Sequence, residues 1–503
     1  MILTHNIAHN IPFLSIFLAM FGGIITPLVK SGKKSRHIHM TITAVIGILS
    51  ILLLAHVYVN HERFTFIMSH FPSPWGNELK AGPMEAVLSL VFSVVMLLSV
   101  GGGQYMTEKD ILPEKRNLYY VMLNFLFGAM IAIIYTNDIF TGYVFVEINT
   151  ICSCAIIMCK DSGAGIMATI RYLIMSILGS GMILFAIAML YTITGQLLFP
   201  QLKSEVIRLA NSGNYTFPLM ITAGLFTLGI GVKSALFPFH TMLPGAYDAA
   251  TSSSSAILSG LVLKSYIIFL IKVYYCVFTL EHIREMKITN LIFFLGVCGM
   301  IFGSIMALKE RRIRRILAYS SVAQIGYIYM GIGLGTNIGV TAAMLHIVAH
   351  AVTKSLLFIC TGRMKDISMA GEADHCLKGI GHRDMVAGIG FTVGALSIIG
   401  VPLFAGFASK LYLAIASFYS PFKMAVALII LAVSMVLNAM YFIPPIVDIW
   451  HSLSPNDANT KIVKQNVPTF ITAVLLFIGV NIFVGTCYDK IFKMIEMGLT
   501  LMR

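Results

Sequence analysis

Charge is what this chain has least of. Only 11% of its 503 residues are charged, against roughly a quarter in soluble domains, while 57% are hydrophobic and the mean hydropathy is +0.86. That balance excludes a soluble globular domain. Acidic residues are scarcer still, 22 against 35 Lys and Arg, for a net charge of +13. Such an excess in a soluble protein would suggest nucleic acid; here its distribution, described below, assigns it to membrane topology, and no nucleic-acid partner is expected. The eight cysteines form no CxxC pair, and scattered cysteines inside apolar runs read as small buried hydrophobes rather than metal ligands or a disulfide framework. The first ten residues lack Lys and Arg, so the first apolar run reads as a retained helix and not a cleaved signal. No redox-cofactor motif is present, so the chain itself is not expected to be an enzyme or to hold a cofactor or metal.

What is present is a succession of long apolar runs. A spanning helix needs about 20 such residues, and about fourteen runs qualify: near 11–30, 38–59, 84–105, 118–136, 138–159, 170–195, 217–237, 252–275, 288–308, 315–335, 340–362, 385–418, 424–448 and 467–487. They are long and unalternated, which excludes a β-barrel and predicts an all-α polytopic membrane protein in contact with the lipid bilayer. Every second loop is basic, from Lys30, Lys33, Lys34 and Arg36 through KERRIRR at 309–315 to Lys461 and Lys464. One side collects 20 Lys and Arg and the other 10. The positive-inside rule places the first set in the cytoplasm and both termini outside. KERRIRR fits that topological role better than lipid binding.

Five basic residues remain within spans: Lys233, Lys264, Lys272, Lys354 and Lys410. A charge at the bilayer centre costs about 3 kcal/mol on insertion scales, so intramembrane ionisable residues usually face a protein interior or wet cavity and mark an ion path. Glu147, in GYVFVEINTICSCAIIM, lies about nine residues into the run at 138–159. It is either a protonated acid used for packing or the partner of Lys233. At about 4 Å and an effective dielectric of about 20, such a pair gains roughly 4 kcal/mol, close to the several kcal/mol lost per ion on desolvation. By contrast, His56 and Glu85 near span ends read as interfacial, and residues 60–83, with Pro72, Pro74 and Trp75, as an outer connection.

Two runs are interrupted. In GVKSALFPFHTMLPGAYDAATSSSSAILSGLVLK, residues 231–264, Lys233 precedes the break at Pro238 and His240 follows it. His240 suits a proton relay beside a broken helix, or equally a loop contact. Ser252–Ser255 either line the same cavity or cap and pack a helix. In GVPLFAGFASK, Gly400, Pro402 and Gly406 break a run too long for a straight crossing, and Lys410 follows the break. The lysine and the break exchange order between the two, as inverted repeats require. That predicts helices 1–3 in residues 1–110, a first five-helix repeat in 111–280, a second in 281–450, and a last helix and tail in 451–503. Between the breaks, LHIVAHAVTKSLLF places His346, His350 and Lys354 on one helical stripe. The glutamate of a zinc-binding HExxH is absent, with Ile347 in its place, so a proton-passing row fits better than a metal site.

Together, GVKSALFPFHTMLPGAYDAATSSSSA with LVLK, HIVAHAVTKSLLFICTG, RRILAYSSVAQIGY and GVPLFAGFASKLY resemble the antiporter-like subunits of respiratory complex I, membrane-bound hydrogenases and multisubunit Na+/H+ antiporters, over roughly residues 85–450. The resemblance implies a fourteen-helix fold with two inverted five-helix repeats, and a proton path. It makes Glu147 and Lys233 the family's charged pair, Lys264 the connecting lysine, His346 and His350 the central histidines and Lys410 the terminal lysine. One departure is TSSSSA, where relatives commonly have a proline, which leaves the helix start there open. The expected function is a proton- or Na+/H+-translocating subunit of a membrane redox complex in a bacterial or archaeal cytoplasmic membrane. Its partners would be other membrane subunits, including a homologous antiporter-like one, and peripheral redox subunits carrying iron–sulfur clusters, with or without nickel–iron or flavin, for ferredoxin- or NADH-type electron transfer. The alternatives are a subunit of a secondary Na+/H+ antiporter without redox partners, and a scaffold whose buried charges only hold helices together.

Overall fold

A computed structural model describes residues 5–68, 71, 76–367, 377–452 and 467–502. Pro72, Pro74, Trp75, Cys376, Lys461, Lys464 and Arg503 lie outside them. The apolar runs are helices: α1 (His5–Ile25), α2 (Gly32–Asn60), α3 (Pro83–Gly102), the short α4 (Gln104–Asp110), α5 (Arg116–Tyr135), α6 (Ile139–Met158) and α7 (Gly163–Thr194). After them come α8 (Phe199–Asn211), α9 (Thr216–Lys233), α10 (Met242–Ala249), α11 (Ser252–Ile257) and α12 (Leu263–Val273). Two π-helical turns, Leu258–Val262 and Tyr274–Phe278, make α11 and α12 part of one continuous rod. The remainder are α13 (Leu280–Glu285), α14 (Ile288–Lys309), α15 (Ile313–Gly333), α16 (Asn337–Ile367), α17 (Ile380–Arg383), α18 (Met385–Ile399), α19 (Ala405–Ser417), α20 (Pro421–Ile449), α21 (Pro468–Thr486) and α22 (Tyr488–Thr500).

Among the described residues, twelve helices are long and apolar enough to cross a membrane. Two of the expected spans are not among them. Helix α15 is almost wholly enclosed by protein, so its serines, Gln324 and tyrosines need not face lipid. The run at 385–418 is two short helices, α18 and α19, as its length and glycines predicted. The serine tract caps and packs rather than lining a cavity. The Thr251 hydroxyl accepts from Ser254 N at 3.1 Å, so α11 starts cleanly without a proline; Ser253 donates to Ser99 O and Ser255 to Tyr247 O.

Burial grades the helices by role. The apolar windows of Ser252–Phe278 and α16 are buried along their whole length, whereas those of α7 and α20 are 39% and 33% buried. The first two form the axis of the bundle and carry Lys264, Lys272, His346, His350 and Lys354; α7 and α20 turn wide apolar faces outward, where lipid takes them up. Helices α14 and α15 pack as a close hairpin. A Cβ on Gly326 would stand 2.6 Å from Gly296 O, so that crossing tolerates only hydrogen at the position.

The basic loops meet at one end: Arg36 pairs with Glu108, Lys109 with Asp366, Arg312 with Asp248 at 3.3 Å and Arg363 with Asp384 at 3.0 Å. Opposite lies a feature without a clear mark in the sequence, an antiparallel ribbon of β1 (Phe64–Ile67) and β2 (Glu78–Ala81). Amphipathic α8 and α22 lie at that end too, burying Phe199, Leu202, Val206 and Leu209, and Phe492, Ile495 and Leu499. The N-terminal helix reaches it through His9, whose ring is 6.4 Å from that of His56, and α22 through Met497, which meets His61. Both ends of the described chain thus lie opposite the basic loops.

Glu85 differs from the expectation for a residue near a span end. It is fully buried, not interfacial, and takes the equally enclosed Arg63 guanidinium at 2.9 Å. Lys272 sits within electrostatic reach of both while donating to Ile134 O and Thr136 O at 2.6 Å each. Burial, and then the charge of Arg63, hold the nearby Lys80 ammonium of β2 below its ordinary range. Removing one partner of a buried pair strands the other charge, at about 3–5 kcal/mol. Glu85→Gln is therefore expected to lower stability by about that amount in thermal unfolding in detergent, and Arg63→Met combined with Glu85→Leu to restore most of it. His56 is likewise buried, 6% exposed, although it does lie near the outer end of its helix.

A line of buried cations between two interrupted helices

The first interruption follows α9. Lys233 occupies its last turn, after which Ala235 turns left-handed (φ 57°) and the Phe237–Pro238 peptide is cis. The Lys233 ammonium is buried. It donates to Glu147 Oε1 at 2.9 Å and Thr150 Oγ1 at 2.7 Å, and lies 5.9 Å from the centre of the Tyr266 ring. Glu147, to which Ser180 also donates, differs from expectation in one respect: its side chain is 29% exposed. The carboxylate stands at the edge of the bundle and the ammonium inside, so the pair joins a lateral face to the interior.

Lys264 extends this line into the axis. In the π turn below it the carbonyl of Ser259 accepts the ammonium, while the Ser259 hydroxyl meets that of Ser321 at 3.0 Å. Lys354 donates to Leu317 O at 2.9 Å and to the Ser320 hydroxyl. Between the two lysines lies His350, within electrostatic reach of Lys264, Lys354 and His346, with no protein partner on either ring nitrogen among the described residues. The His346 ring stacks 6.2 Å from His350 and 5.3 Å from Tyr327, and its Nδ1 lies 2.9 Å from Ser409 Oγ on α19.

The second interruption completes the line. Helix α18 stops at Ile399, Gly400 (φ 101°) and Leu403 (φ 85°) turn the chain, and α19 begins at Ala405. Gly406 is required there, because a Cβ would stand 1.8 Å from Ser397 O. In the next turn Lys410 reaches back to the last carbonyls of α18, those of Ile398 and Ile399, with its ammonium 5.1 Å from the Tyr327 ring. A cation at the negative end of a helix is electrostatically favoured.

Seven of the eight candidate residues thus follow one another through the bundle: Glu147 pairs with Lys233, which meets α12 at Tyr266; Lys264 on that helix is within electrostatic reach of Lys354, His350 and His346; and Lys410 is within reach of His346. His240 does not join them. Its ring packs against Phe237 and Phe302, 5.7 and 5.0 Å away, and it makes no hydrogen bond to Lys233 or Lys264 among the described residues. Its neighbour Thr241 lines a cavity of about 460 Å³ at the basic end, with Arg171, Asp248, Arg312 and Arg315. Thr150, Ser180, Tyr327 and Ser409 also belong to the line but escape sequence reasoning, being uncharged groups whose helical positions look like ordinary packing. Lys272 stands out in the sequence as a basic residue within a span, yet it lies away from the line, with Arg63 and Glu85.

This arrangement defines a class: an integral membrane subunit with antiporter-like helices, whose ionisable groups run through the bundle from one broken helix to the other. Residues 136–438 match the family described as NADH:quinone oxidoreductase/Mrp antiporter, TM, and the chain belongs to that family. It is similar to NADH-quinone oxidoreductase subunit N of Desulforudis audaxviator, 30% identical over 439 residues, covering 86% of this chain and 85% of the relative. It is also similar to a Na(+)/H(+) antiporter subunit of Bacillus subtilis, 25% identical over 408 residues, 81% and 80% of the two chains. A chain of the membrane-bound sulfane sulfur reductase, an archaeal respiratory membrane complex, superposes with a TM-score of 0.86 at 23% identity, covering 99% of this chain and 97% of that one. The protein is an antiporter-like, ion-translocating membrane subunit.

Proposed function

We propose that this chain moves protons, alone or in exchange for Na+, as one subunit of a multisubunit membrane redox complex of the hydrogenase or complex I kind. The observation that carries the reading is the line from Glu147 to Lys410, seven ionisable groups where an apolar bundle would tolerate none without cause. A proton enters near Lys264 and the cavity beside His240, exchanges at Lys233 under control of Glu147, crosses by His350 and His346, and leaves at Lys410. Each lysine has to lose and regain its proton in turn. The uncommitted ring nitrogens of His350, and Nε2 of His346, are where water would bridge the steps. Lys354 faces His350 and biases its charge. The two interrupted helices form corresponding parts of inverted repeats at 111–280 and 281–450, and the basic loops lie in the cytoplasm with both termini outside a bacterial or archaeal membrane.

Electron transfer belongs to partner subunits holding iron–sulfur clusters, with or without nickel–iron or flavin, and a second antiporter-like chain stands beside this one. The oxidoreductase relative and the respiratory complex of the same fold support that reading. The antiporter relative favours a second one, exchange driven by ion gradients alone. Isolation of the assembly in mild detergent with measurement of its iron and nickel separates them. Stoichiometric iron is expected; an assembly of membrane proteins without iron or nickel would establish the secondary antiporter.

A further inference from the structure

Far from the cation line, at the end opposite the basic loops, His9, His56 and Glu62 bring one ligand atom each to within 4.8 Å of one another. We infer that these three residues form a transition-metal site, filled by Zn2+ or a similar borderline cation, that clamps the start of α1 to the end of α2. The donor set is two imidazole nitrogens and a carboxylate oxygen, which suits zinc and leaves a fourth position for water; magnesium and calcium prefer oxygen alone.

Local structure prepares the geometry. His56 lies one turn before the end of α2, and His61 caps that helix in the left-handed region (φ 50°), its N–H on Val57 O. The turn folds Glu62 back over the helix, so that its Oε1 lies 2.9 Å from His56 Nε2. Donors bound to zinc at about 2.0–2.2 Å stand roughly 3.3 Å apart in a tetrahedron, so this pair is already near its bound separation. His9 is supplied from the second turn of α1, its ring stacked on Phe64 at 4.0 Å and 7°. The adjacent Arg63 turns inward to Glu85 and leaves the carboxylate of Glu62 to the histidines. The bland account is an ion pair between Glu62 and a protonated His56, with His9 merely packed beside it. It predicts no metal affinity.

The test uses the detergent-purified assembly, stripped with a chelator, dialysed and titrated with Zn2+ against a chelating indicator. Wild type should take up one more zinc per copy of this chain than His9→Gln or His56→Gln. Glu62→Gln should weaken that zinc at least about tenfold, on the scale seen when metal-site partners are removed. Cobalt in place of zinc should give visible bands that disappear in the same variants. Should His56→Gln fail to assemble, the part-exposed His9 and Glu62 variants carry the comparison. Equal zinc uptake in wild type and variants, or only weak adventitious binding in all of them, overturns the site and leaves the ion pair.

Discussion

Lys233→Met should stop coupled ion transport while leaving the complex assembled in the membrane. The ammonium has two partners, Glu147 and Thr150, and both keep other contacts when it is removed. Ser180 continues to donate to the carboxylate, whose side chain is 29% exposed, and Thr150 to Val146 O. The structural loss should therefore fall below the roughly 3–5 kcal/mol expected when a fully buried pair is broken. Transport has no such reserve, since the exchange step beside Glu147 loses its ammonium and methionine offers no replacement. In proteoliposomes with a pH-sensitive dye, the rate should fall at least about tenfold, the equivalent of about 1.4 kcal/mol on the barrier. Transport at the wild-type rate would remove Lys233 from the path. The double variant Glu147→Gln with Lys233→Met distinguishes a scaffold from a conduit: a scaffold tolerates paired neutralisation, often at no cost in stability, whereas a conduit still fails.

The residues of this line that could be read from the sequence are those whose cost in a membrane demands an explanation. A lysine in an apolar run, or a glutamate in the middle of one, announces itself because hydrocarbon penalises charge; proline and clustered glycine mark a broken helix because they remove a donor or a side chain. Threonine, serine and tyrosine carry no comparable penalty. Thus Thr150, Ser409 and Tyr327 are indistinguishable from packing residues until α6, α19 and α15 are placed around α9, α12 and α16. The π turn that presents Ser259 O to Lys264 has no sequence mark of its own. Glu85 looks interfacial in the sequence because its partner is 22 residues earlier, across a ribbon that the Pro-rich connection conceals. Lys272 is held by carbonyls more than a hundred residues away, at the end of α5, which no local pattern encodes. His240 is conspicuous in the sequence, but its surroundings are not. Its place after Pro238 suggests a relay beside Lys233, but the break turns its ring onto Phe237 and Phe302.

At the far end of the line, Lys410→Arg separates holding a charge from releasing a proton. Lys410 closes the break by donating to the carbonyls of Ile398 and Ile399, two of the terminal acceptors that a helix leaves without intrahelical partners. Arginine supplies the same charge and more donors at that helix end, but its guanidinium stays protonated throughout the accessible range. It should keep the broken helix satisfied and the complex assembled, at some cost for extra volume in a site where the lysine is 3% exposed. It should nevertheless transport as little as Lys410→Met, because the last group before the exit can no longer let its proton go. Methionine leaves the Ile399 carbonyl unmet and that of Ile398 to Asn438 Nδ2 alone, at 3.3 Å, at about 1–3 kcal/mol for a buried polar group, so it should also melt earlier than the arginine variant. Dye-monitored transport and thermal unfolding on the wild type and the two variants make the comparison. Full transport by the arginine variant would mean that protons leave by another route and that Lys410 serves only to tie α18 to α19.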